Sequence, residues 1–111
     1  MQSEKIRSDQ FPDLFPNELS FADGSKARQR VVNDAYFLDF IEMGSTLVIT
    51  CPPFGQAKGV AIRTSPAWGA KFIVGRGYSF LGFKLAEPDW LRSHELHQFL
   101  RSPRFIEFLQ S

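Results

Sequence analysis

From Met43 to Ala86 the chain carries no aspartate and no glutamate, although five bases fall inside it: Lys58, Arg63, Lys71, Arg76 and Lys84. Other absences narrow the field. The single cysteine, Cys51, excludes an internal disulfide and favours a reducing compartment. No apolar run approaches the length that spans a bilayer, which excludes a membrane helix. The opening Met-Gln-Ser-Glu-Lys-Ile-Arg is polar and mixed in charge, unlike a signal peptide. A cytoplasmic protein with no membrane partner is therefore expected. There is no glycine-rich phosphate loop and no plausible acid–base pair, so an enzyme is not expected, and neither is a cofactor. His94-Glu95-Leu96-His97 places two imidazoles at i, i+3, which is not the H-E-x-x-H spacing of a zinc-protease helix. Two ligands do not make a metal site.

What is present is one domain's worth of chain, 111 residues with a formal net charge of +1. The charges are segregated. Residues 1–42 hold eight acids against five bases, the middle stretch holds bases only, and residues 87–111 hold four acids against three bases.

Residues 1–24 read as an extended arm. Phe-Pro occurs twice, at Phe11-Pro12 and Phe15-Pro16, and proline pushes the residue before it toward extended structure. The arm's apolar teeth, Phe11, Leu14, Phe15, Leu19 and Phe21, pack on the domain or dock on a partner. Asp23-Gly24 marks a turn. Residues 25–111 then form a single α+β domain.

Ser25 and Gly44 frame an expected helix over 25–43. Ala27, Val31, Ala35 and Leu38 make one helical stripe, and Val32, Tyr36, Phe40 and Met43 a second beside it. That apolar surface is wider than one sheet needs, which raises a homodimer. With the arm, Tyr36 and Phe40 are the candidate partner-binding residues. Val31-Val32 and Tyr36-Phe37 leave a strand alternative open, and Asp39 and Glu42 sit where the helix dipole disfavours them.

Residues 45–85 alternate like a four-stranded antiparallel meander, with strands over 45–51, 58–64, 70–74 and 78–85. One parity collects Leu47, Ile49, Cys51, Val60, Ile62, Phe72, Val74, Leu81, Phe83 and Leu85 as a core face, on which Cys51 is an inert buried thiol. The other collects Arg63, Lys71, Tyr78, Phe80 and Lys84. A helix opening at Pro88 follows, with Leu96, Phe99 and Leu100 inward. Ser102-Pro103 caps a short last helix that turns Phe105, Ile106 and Leu109 inward.

The second sheet face is the candidate site. Cations neutralise phosphates and flat rings stack bases, so Arg63, Lys71, Arg76 and Lys84 would hold a single strand of DNA or RNA. Tyr78, Phe80 and the loop residue Trp68 would stack on it. Arg76-Gly77-Tyr78-Ser79-Phe80-Leu81-Gly82-Phe83 resembles the RNP1 octamer of RRM domains, departing at Ser79 and Leu81. An RRM also needs a helix between its first two strands, and Gly44–Gly75 reads as strand and turn, so an RRM is not expected. Cys51-Pro52-Pro53-Phe54 looks like the Asn/Asp-Pro-Pro-Phe motif of amino-methyltransferases, with Cys51 in place of the polar residue and no cofactor loop. Four strands followed by a helix is similar to the order in Whirly- and PUR-type single-strand binders, a likeness of topology only. The competing expectation is a protein-interaction module, such as an inhibitor, immunity or assembly protein, that works through the arm and the first helix.

Overall fold

The computed structural model describes residues 11–21, 24–32, 36–51, 65–85 and 94–110. Over these the chain is α+β. Its strands are β1 (Asn17–Ser20), β2 (Lys26–Val31), β3 (Tyr36–Ile41), β4 (Leu47–Thr50) and β5 (Ser79–Leu85). Its helices are α1 (Ala70–Gly75), α2 (His94–Leu100) and α3 (Pro103–Gln110). The sheet order is β1-β2-β3-β5-β4. β1, β2 and β3 form an antiparallel meander, β5 joins β3 antiparallel, and β4 lies parallel to β5 at the edge.

The helix expected over 25–43 is instead the hairpin β2–β3, with Arg28 opposite Phe40 and Arg30 opposite Leu38. Its central strand explains the misreading. Tyr36, Leu38 and Phe40 point to one face of the sheet, Phe37 and Asp39 to the other, and all five are buried. A strand covered on both faces loses its alternation and reads as a broad apolar run. Of the turn expected at Asp23-Gly24, Asp23 lies outside the described residues; Gly24 sits between β1 and β2 at φ 91° and donates its N–H to the Phe21 carbonyl at 2.9 Å. Residues 17–20 are thus part of the sheet, not of a separate arm. The strand expected over 58–64 lies outside the described residues.

The strand expected over 70–74 is α1. Ala70, Ile73 and Val74, at helical spacing, pack with Phe80, Ala67 and Ile41, which turns Lys71 and Phe72 outward. Gly77, at φ 85°, donates its N–H to the Val74 carbonyl at 2.9 Å and ends the helix in a conformation that glycine adopts without strain. α1 bridges the parallel pair β4 and β5, as a crossover between parallel strands requires.

The main core lies on the opposite face. Leu38, Phe40, Leu81 and Phe83 of the sheet meet Leu96 and Phe99 of α2, Phe105 and Phe108 of α3, and Phe11, Leu14 and Phe15 of the arm. Ser102 caps α3 as its sequence implied, accepting from the Phe105 N–H at 3.3 Å. The phase of α3 differs from expectation. Phe105 and Phe108 face inward, while Ile106 and Leu109 are 43% and 42% exposed.

Gly82 fixes the spacing between β5 and the lead-in to α1. A Cβ there would press on the Phe80 ring and stand 2.7 Å from the Ala67 Cβ. Gly82→Ala is expected to destabilise the fold by about 1–3 kcal/mol through overpacking. A urea midpoint equal to that of the unaltered protein would show that the loop yields.

Candidate nucleic-acid interface

The sheet face that was to bind a strand is closed. Phe80 is fully buried beneath α1, in the cluster with Ala67 and Ala70, so no base can stack on it. Lys84 is buried as well, 3% exposed. Its Nζ lies 2.8 Å from Asp39 Oδ2 and donates to the Ser65 carbonyl at 2.7 Å. The other Asp39 oxygen accepts from Gln29 Nε2 at 2.9 Å. Burial pushes the Asp39 carboxyl above its ordinary value, against the downward pull of Lys84 and Gln29. Lys84 therefore neutralises an internal carboxylate and is not available to a phosphate. Arg63 lies outside the described residues.

The remaining members of that set stay at the surface, gathered around α1. Trp68, in the turn before the helix, is 51% exposed, and Tyr78, after it, is 41% exposed. Phe72, which parity had assigned to the core, is 61% exposed. Arg76, one turn along from Phe72, sets its guanidinium carbon 3.9 Å from the centre of that ring, an attractive placement of cation on π-face. Lys71 is exposed on the same helix. The signal that would have found Phe72 is the 70/73/74 spacing, which buries one side of a short helix and leaves 71, 72 and 75 outside.

Two anchors hold this surface to the sheet. Thr50 Oγ1 donates to the Trp68 carbonyl at 3.0 Å and so ties the start of α1 to β4. The buried Ser79 hydroxyl accepts from the Met43 and Gly44 N–H groups at 2.8 and 3.1 Å and donates to the Gly44 carbonyl at 2.6 Å. This sets the exposed Met43 beside the start of β5. The octamer that resembles RNP1 thus departs at Ser79 for a structural reason, and its Phe80 and Phe83 are core residues. The helix that an RRM needs between its first two strands has no counterpart here: β1 and β2 pair as neighbours in an antiparallel meander, and α1 falls between β4 and β5.

The candidate partner-binding residues Phe11, Leu14, Phe15, Tyr36 and Phe40 are all buried in the main core. Their apolar groups are used within this chain. Cys51, expected on the core face, is exposed just past the end of β4, an edge strand. Pro52, Pro53 and Phe54 of the Pro-Pro-Phe motif lie outside the described residues. Among the described residues no three His, Cys, Asp or Glu side chains gather as metal ligands, and no helix is long and apolar enough to cross a membrane.

No protein family matches this chain, and no curated protein or solved structure does either.

Proposed function

We propose that the chain is a small binding domain for single-stranded nucleic acid that works through the surface around α1. The observation that carries this reading is the exposure of Trp68, Phe72 and Tyr78 around one six-residue helix that bears Lys71 and is followed directly by Arg76. All five come from the stretch that holds no acid. Trp68, Tyr78 and the face of Phe72 away from Arg76 offer stacking surfaces to unpaired bases, and Lys71 and Arg76 offer phosphate contacts beside them. A duplex keeps its bases stacked away from such rings, so the preference is for single strands.

Titration of labelled single-stranded oligonucleotides, read by fluorescence anisotropy, tests it. Two phosphate contacts give a slope of log affinity against log salt of about −1.4. Phe72→Ala and Trp68→Ala are each expected to lose about 1–3 kcal/mol of binding with no change in unfolding midpoint. Absence of binding at low salt would sink the proposal. One observation favours a second reading, a protein partner at the same surface. Met43 is 44% exposed, and it adds an aliphatic group to a Trp, Tyr and Arg set of the kind that anchors protein interfaces. That reading gains if the same variants leave oligonucleotides untouched but abolish capture of an acidic protein.

A further inference from the structure

A second concavity lies on the opposite face of the sheet from α1, where the arm, β2 and the two C-terminal helices meet. It is an open cleft of about 470 Å³, within the range that takes a small organic molecule. Its apolar wall is made by Leu14, Val32 and Phe99. Its polar centre is Arg30, and that arginine is held rigidly. Nη1 donates to the carbonyl oxygens of Asp13 and Leu14 at 3.3 and 3.2 Å. The guanidinium carbon stands 4.4 Å from the centre of the Phe99 ring. The Nε and Nη2 edge has no partner among the described residues. That edge is the fork that matches a carboxylate with two parallel hydrogen bonds.

Two carboxylates also line the cleft, Asp13 and Glu95. Arg104 grips Asp13 with two bonds of 2.9 Å, from Nε and Nη2, and this holds the Asp13 carboxyl below its usual range. Glu95 is exposed on α2. The surroundings tolerate one negative charge on Arg30 and disfavour two.

We infer that this cleft binds a small organic carboxylate, its carboxylate on the Nε/Nη2 edge of Arg30 and its apolar body against Leu14, Val32 and Phe99. The inference is independent of the α1 surface and its ligand. A dianionic phosphate meets the two acids, whereas a monoanion with an apolar body satisfies both the fork and the wall.

Two-dimensional amide NMR of the full chain, titrated with 2-naphthoate, 2-naphthamide or inorganic phosphate, tests it. Naphthoate is expected to move the resonances of Leu14, Arg30, Val32 and Phe99, while the amide and phosphate leave them in place. Arg30→Lys keeps the charge but loses the fork, and is expected to weaken naphthoate at least about tenfold. Gln98→Trp, at an exposed lining position, fills the cleft without touching Arg30 or the core and is expected to abolish binding in a chain with an unchanged unfolding midpoint. Equal binding of the amide would overturn the inference in favour of a merely apolar groove. Phosphate binding as tight as that of naphthoate, or no shift with any ligand, would overturn it too.

Discussion

Lys84→Met is expected to cost about 3–5 kcal/mol near neutral pH, because it leaves the Asp39 carboxylate buried without a counter-charge. For a domain whose whole stability is of order 5–15 kcal/mol, that is a large share. The pH dependence identifies the cause. Burial already raises the folded-state pKa of Asp39 above its ordinary 3.8. In the window between the unfolded and folded values the native state binds more protons than the unfolded one, so stability falls as pH rises. Removing Lys84 takes away the largest opposing influence and carries that window upward. The penalty in the variant is therefore greatest at neutral pH and shrinks in mild acid, where Asp39 becomes neutral. Replacing both partners, as Asp39→Asn with Lys84→Met, is expected to recover most of the loss. Urea unfolding at neutral and acid pH measures all of this. A penalty that stays constant with pH would mean that Lys84 matters for its packing alone. The same variant separates two roles for this lysine: if it lowers oligonucleotide affinity, it does so in proportion to the fraction unfolded.

Phe108→Ala is the second large effect, about 3–5 kcal/mol for deleting a fully buried ring. Phe108 is the hub of the aromatic core, with ring centres of Phe40, Phe15 and Phe11 at 5.1, 5.3 and 5.5 Å. Two of those neighbours belong to the arm, so the loss falls unevenly. Cleavage by a protease within residues 11–16 is expected to accelerate more than cleavage elsewhere. Ile106→Ala, two positions away, is expected to change stability by less than about 0.5 kcal/mol, because that side chain stands at the surface. Comparable losses from Ile106 and Phe108 would show that α3 is rotated from the position described.

What the sequence disclosed follows from how many faces of each element are covered. β5 alternates because its two faces meet different neighbours, and its parity correctly grouped Leu81 and Phe83 apart from Phe80 and Lys84. Parity says which residues share a face, however, and nothing about what lies over it. Phe80 and Lys84 were grouped correctly and were still unavailable. β3, enclosed on both sides, showed no alternation at all. The six residues of α1 contain Ile73 and Val74, whose branching suits a strand. The helix is set by packing on Phe80, which a local reading does not see. The candidate site was legible as a composition, aromatics and bases with no acid, and Trp68, Lys71, Arg76 and Tyr78 remain in it. Its location on a helix was not legible, and neither was Phe72.

The order β1-β2-β3-β5-β4 also has a consequence during synthesis. β3 emerges with one side paired to β2, and its other neighbour, β5, begins about forty residues later, some 2–8 s at ordinary translation rates. For that interval an apolar strand shows an open row of backbone donors and acceptors. Its edge does not close until a strand on the far side of α1 slides between β3 and β4. The nascent hairpin is the stage at which this chain is most open to mispairing with a copy of itself or to capture by a chaperone.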